Sequence, residues 1–285
     1  MTLTTRILVG LSVLGLVISG CATTTTYVKD FKVSAPRLQQ PVFLTPDTLF
    51  YTHQLIASVS QFTDSPLQAN IGEKLYGAGR NLDWSVPKYC LSVFYERPFS
   101  RMLAGFAGLS YSSTSEDNLG TLTLGMSAFL TKKVLAIRLD ASSQLSTYTY
   151  RAHLVQIIGQ SGPRPWTEVT TFESNDTRLA FEWNASLTIN TNSHSSPINA
   201  FVQFTTGTQT LASLSVKPPP NAPSTKTVSL RVAGNTFTVT PGLSFRVHRG
   251  SVLSIGAEFI GYTGINELTK TRFVSPLIQY SIQLE

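Results

Sequence analysis

Residues 178–190 read RLAFEWNASLTIN, and their alternation decides what kind of fold the chain can adopt. Leu179, Phe181, Trp183, Ala185, Leu187 and Ile189 fall on one side of an extended chain. Arg178, Ala180, Glu182, Asn184, Ser186 and Thr188 fall on the other. A helix would scatter these residues around its axis, whereas a strand, whose successive side chains point to opposite faces, sorts them. The stretch TLTLGMSAFL (121–130) repeats the pattern, with Leu122, Leu124, Met126, Ala128 and Leu130 opposed to Thr121, Thr123, Gly125 and Ser127. So does FTVTPGLSFRV (237–247), where Pro241 interrupts the apolar side and, lacking an N–H, marks a weak point or bulge.

Ten segments carry this period: 53–63, 89–97, 101–113, 119–130, 133–147, 177–190, 197–207, 235–248, 251–262 and 272–284. No long amphipathic helix competes with them, and no fixed repeat suggests a propeller or solenoid. The connections alternate in length. Short ones ("FS", "TKK", "TNSHSSP", "HRG") follow the second, fourth, sixth and eighth segments. Longer ones span 64–88, "TSEDNL", 148–176, 208–234 and "GINELTK". Membrane-spanning barrels have tight periplasmic turns and longer outer loops, and an even strand number returns both ends to one side.

Period two alone does not say whether the apolar face looks into a core or out to lipid. Charge placement helps. Charged residues make up 13% of the chain, about half the usual 25%. Every lysine falls in the amino-terminal region, a connection or a strand end. The charges inside segments (Glu96, Arg138, Asp140, Arg178, Glu182, Arg246 and Glu258) sit on the polar side. A lipid-facing arginine at mid-bilayer costs about 2–4 kcal/mol, so in a membrane barrel these seven point inward. Their near-balanced signs suggest cross-strand ion pairing more than a selective pore. Trp84, Tyr89, Tyr95, Tyr111, Tyr148, Tyr262 and Tyr280 near the segment ends fit interfacial girdles. Over about 53–285 the pattern resembles bacterial outer-membrane β-barrels, although the final "YSIQLE" has no terminal aromatic residue. The expected fold is an all-β antiparallel barrel of about ten strands. The alternative is a soluble β-sandwich or lipocalin-like barrel.

The chain opens with Arg6 and an apolar stretch from Ile7 to Ile18, too short to span a bilayer and typical of a signal peptide. Leu16-Val17-Ile18-Ser19-Gly20-Cys21 resembles a bacterial lipobox. That resemblance implies cleavage before Cys21, a diacylglycerol on its thiol and an acyl group on its new amine. Ala22, rather than aspartate, follows the cysteine, which points to the outer membrane. The organisation so read is a signal peptide over 1–20, a lipidated tether over 21–50 holding Pro36, Pro41 and Pro46, and a barrel domain over 51–285. A tether acylated at the inner leaflet would leave from the periplasmic side.

Loss of Arg6 lowers Lys+Arg from 22 to 21 against 16 acids, a mature charge of +5. No basic run or stripe accompanies it, so nucleic acid is not an expected partner. Only Cys90 remains beside Cys21, which excludes an intrachain disulfide framework. His53, His153, His194 and His248 lack ligand spacing, so no metal is expected, and no motif calls for a cofactor. There is no G-x-S-x-G, no H-E-x-x-H and no phosphate loop, and the chain reads as a non-enzyme. His153, with Glu168, Glu173 and Asp176 nearby in sequence, is the one residue that suits a rim-acting hydrolase. Three functions stay open. One is a membrane barrel that binds an extracellular ligand or envelope protein, scaffolds, or passes something small. The others are a tethered soluble binding module and the rim hydrolase.

Overall fold

The computed structural model describes residues 22–36, 40–42, 53–61, 67–70, 81–85, 87–114, 116–132, 134–160, 166–191, 197–216, 228–248, 250–263 and 272–284. Thirteen strands are present among them: β1 (Ala22–Ser34), β2 (His53–Gln61), β3 (Leu67–Asn70), β4 (Asn81–Ser85), β5 (Tyr89–Pro98), β6 (Leu103–Ser113), β7 (Asn118–Thr131), β8 (Leu135–Gln160), β9 (Trp166–Thr191), β10 (Ile198–Val216), β11 (Val228–His248), β12 (Ser251–Thr263) and β13 (Arg272–Leu284). Ten of them close on themselves in the order β8-β7-β6-β5-β2-β13-β12-β11-β10-β9, with β9 returning to β8. Every pair in this ring is antiparallel. The protein is therefore a closed ten-stranded barrel, and each of its strands falls on one of the ten segments of period two.

The facing is that of a barrel turned inside out relative to a soluble one. Leu109, Leu124 and Phe181 are 65%, 57% and 72% exposed. Arg138, Thr123, Thr188 and Ser275, by contrast, are wholly buried. Exposed aliphatic and aromatic side chains ring the outside from β2 to β13, an apolar surface far larger than any soluble monomer tolerates. On β8 the outward apolar residues run from Leu135 to Leu145. Ten steps of about 3.3 Å, tilted about 40°, project to roughly 25 Å, the height of the lipid-facing band of a membrane barrel. The soluble sandwich or lipocalin-like alternative fails on this observation. Tyr89, Tyr95, Tyr111 and Tyr280 face outward as expected of girdle residues, but Tyr148 and Tyr262 are buried on the inner face. The Trp84 side chain lies outside the described residues.

Local features follow from the residues available. Gly108 and Gly125 face the lumen where the rings of Phe94 and Phe106 lie, and a Cβ at either would overlap those rings. The β11–β12 ladder skips Thr240 and Pro241, as the missing proline N–H requires. At the short turns Lys132 donates its N–H to Leu135 O (2.9 Å), and Gly250 adopts φ +83°, a left-handed conformation that glycine enters without strain.

Several connections prove not to be loops. Residues 148–160 and 166–176 continue β8 and β9 beyond the apolar belt as one paired hairpin. Residues 208–216 and 228–234 do the same for β10 and β11. The 64–88 connection contains β3 and β4. Residues 22–34, expected to be part of a plain tether, form β1, which pairs with β8 from Thr149 to Gln160 and with β4. The reason these strands escape sequence reading is a reversal of polarity. From Arg138 to Ser146 the inward residues of β8 are polar: Arg138, Asp140, Ser142, Gln144 and Ser146. From Tyr148 to Leu154 the same face is apolar, with Tyr148, Tyr150, Ala152 and Leu154 buried alongside Phe31 and Val33 of β1. Beyond the bilayer water lies outside again, and burial reverts to its usual sense. Thr147 marks the seam: its Oγ1 accepts from Gly120 N (2.9 Å) and donates to Gly120 O (3.2 Å) where β7 gives way to β1 along the edge of β8.

Candidate functional site in the barrel lumen

The lumen wall carries a buried charge cluster. Arg138 of β8 donates to both carboxylate oxygens of Glu96 of β5, to Asp140 Oδ1 through Nε (2.7 Å) and to Ser127 Oγ. All three charged side chains are excluded from solvent. Phe129 lies beneath the guanidinium, 5.9 Å from its ring centroid. A buried ion triad of this kind is tolerable only because nearly every donor and acceptor finds a partner. Asp140 Oδ2 accepts from Ser186 Oγ (3.0 Å), which completes the inner end of the cluster.

The other interior charges foreseen from sequence are placed differently. Glu182 is buried, but it does not pair with Arg178. Its oxygens accept from Ser146 Oγ (3.1 Å) and from the N–H of Thr210 (2.5 Å), just above the point where β9 and β10 separate. Glu258 is buried on the inner face of β12 opposite Ser275. Arg178 and Arg246 are exposed. Both keep the inward phase of their strands but lie beyond the ends of the closed lumen, where that face meets water. Arg178 pairs with Asp176 (2.7 Å), and a hydrogen bond to Tyr150 together with that carboxylate raises its pKa further.

The lumen is occupied by the chain itself. After β1, Ala35 and Pro36 turn into the barrel, and Gln40, Pro41 and Val42 lie buried within it. Three glutamines on the inner face hold this segment by its backbone. Gln209 Nε2 donates to Pro36 O (2.9 Å) and Gln203 Nε2 to Pro41 O (3.1 Å). Gln279 clasps Val42, donating to its carbonyl (2.6 Å) and accepting from its N–H (3.0 Å). The Val42 side chain packs against Phe201 and Leu277. Gln203 Nε2 also reaches Ser186 Oγ (3.5 Å), so a polar chain runs from Glu96 through Arg138, Asp140, Ser186 and Gln203 to Pro41.

At the long-strand rim His153 lies between two carboxylates, with Nε2 2.9 Å from Glu173 Oε1 and Nδ1 3.8 Å from Asp30 Oδ2. The group is solvent-exposed, and among the described residues the ring makes no hydrogen bond to a hydroxyl or thiol that could serve as a nucleophile. Glu168 lies outside the residues whose side chains are described, and Asp176 turns to Arg178 instead. Beside this group Lys32, Glu116, Thr149, Arg151, Asn175 and Asp176 line a polar cleft of about 330 Å³. Cys21 lies outside the described residues.

Sequence reading found the charge cluster's members but missed the glutamines. Their only signal was position: Gln203, Gln209 and Gln279 all fall on the polar phase of their strands, where serine and threonine prevail. Nothing in that phase names a backbone partner some 160 to 240 residues away. No protein-family model and no curated protein matches the chain. Among solved structures it is similar to LpxR from Salmonella typhimurium, with a TM-score of 0.35 and 9% identity over 81% of this chain and 100% of that one. It is similar also to the translocator domain of the autotransporter NalP from Neisseria meningitidis (TM-score 0.37, 8% identity, 82% and 88% of the two chains). A third is the beta domain of the Bordetella autotransporter Brka (TM-score 0.37, 11% identity, 82% and 99%). What defines this chain as a membrane-type β-barrel is its own closed ring of ten strands with lipid-compatible side chains outside and polar ones within.

Proposed function

We propose that the protein is a lipid-anchored outer-membrane barrel whose lumen is stoppered by its own amino-terminal segment. It acts as a scaffold that presents the strands beyond the bilayer to an extracellular ligand or envelope protein. The observation carrying this reading is the grip of Gln203, Gln209 and Gln279 on the backbone of Pro36, Pro41 and Val42. A ten-stranded barrel is only modestly wider than an eight-stranded one, whose side chains largely fill it. A chain segment held among these side chains favours a closed lumen over a general porin. Catalysis has no part in this reading, since His153 faces two carboxylates and, among the described residues, no nucleophile.

Planar-bilayer recording of the purified protein tests it. The wild type is expected to show little or no steady current. The triple variant Gln203→Ala/Gln209→Ala/Gln279→Ala is expected to show discrete openings as the segment leaves the lumen. Large, stable, ohmic channels from the wild type would replace the scaffold with a channel.

A further inference from the structure

We propose that the barrel is a conduit for its own amino terminus: the chain is threaded outward through the lumen, and β1 is displayed on the outer face of the membrane. This departs from the periplasmic tether implied by the lipobox resemblance. It rests on the reading of the chain as an outer-membrane barrel.

The direction of the chain carries the inference. β2 starts at His53 opposite Leu284, at the end of the barrel that bears the short turns. β1 lies at the other end, its last residue Ser34 paired with Thr149 and its first, Ala22, with Gln160. Those partners stand beyond Leu145, the last outward leucine of β8 within the apolar belt. The chain must therefore cross the bilayer between Ser34 and His53, and the contacts within the lumen show the course it takes. Pro36 meets Gln209 and Pro41 meets Gln203, six positions nearer the start of β10 and so nearer the short turns. Val42 meets Gln279, five positions from the end of β13. From Ser34 to Val42 an extended chain reaches at most about 28 Å, comparable with the height of the belt.

Membrane barrels place their long connections outside, so β1 is outside. Its polarity agrees: Phe31 and Val33 are buried against the β8 extension, while Asp30 and Lys32 face water and Lys32 pairs with Glu116 at the same rim. β1, once folded, cannot be drawn through afterwards against the glutamine contacts and the Val42–Phe201–Leu277 packing that hold the segment in the lumen. The barrel has to close around a segment already in place.

Thiol labelling of intact cells tests this in full-length protein carrying Cys90→Ser, each labelling being read above that of the Cys90→Ser parent, which reports any free Cys21 thiol. A membrane-impermeant maleimide should label Lys32→Cys equally before and after permeabilisation, and Lys132→Cys only after it. Labelling of Lys32→Cys only after permeabilisation would overturn the proposal, as would labelling of Lys132→Cys in intact cells. Should neither cysteine react, the double variant Pro36→Cys/Gln209→Cys decides: a short thiol–thiol reagent should cross-link it. Absence of the cross-link, with each single cysteine reactive, would also overturn the proposal. Incorporation of labelled fatty acid reads Cys21 separately, so an unlipidated but surface-labelled protein defeats only the anchor.

Discussion

Gln279 holds Val42 by both ends of its backbone unit, with Nε2 on the carbonyl and Oε1 on the N–H. A side-chain amide here does what a neighbouring strand would do, inside a lumen where no strand edge is free to pair. Gln279→Leu fills a similar volume but leaves two buried backbone groups without partners, at about 1–3 kcal/mol each. The expected result is a lower unfolding temperature of the purified protein and faster proteolysis of the 35–42 segment. Gln279→Glu, which keeps an acceptor but turns a second oxygen toward the Val42 carbonyl in a buried site, should be at least as destabilising. Equal stability of all three would remove this contact from the account of the plug.

The Glu96–Arg138–Asp140 cluster makes a second prediction. Removing one partner from a buried ion pair typically costs about 3–5 kcal/mol because the survivor stays charged and buried. Glu96→Ala should therefore destabilise the barrel strongly. Ser58→Ala, on the same inner face away from the cluster, should cost about 1 kcal/mol or less. Denaturant unfolding followed by gel mobility distinguishes the two. A mild effect of Glu96→Ala would mean the cluster is dispensable.

Polarity reversal along β8 is directly testable by arginine scanning. Leu124→Arg, on the outward face of β7 within the apolar belt, should cost roughly 2–4 kcal/mol in lipid. Thr149→Arg, outward on β8 above Thr147, should be close to neutral because it meets water. Comparable penalties at both positions in lipid vesicles would displace the membrane boundary from residues 146–148.

The connection KPPPNAPS, residues 217–224, lies outside the described residues but is flanked by the ends of β10 and β11 at the long-strand rim. A protease site placed there is expected to be cut in intact cells, since three consecutive prolines cannot join a strand ladder. Cleavage only after permeabilisation would invert the barrel.

The alternation in RLAFEWNASLTIN and its counterparts was enough to set strand number, antiparallel order and the short-turn end. Period two is a local property of extended chain, and alternating turn lengths record which neighbours pair. The inward phase of Glu96, Arg138 and Asp140 was equally legible. Three matters were decided only in three dimensions. The sense of burial depends on the solvent each face meets, which is why Tyr148 and Tyr150 continue the phase of Ser146 with opposite character. Arg178 and Arg246 keep that phase yet escape the lumen, because the rim is a plane through all strands and not a position in any one. The placement of residues 35, 36 and 40–42 rests on amides from β10 and β13, brought together only when β9 closes on β8 and β2 on β13. Long-range hydrogen bonds of that kind leave no period in the sequence, so a proline-rich stretch that reads as a tether becomes the centre of the barrel.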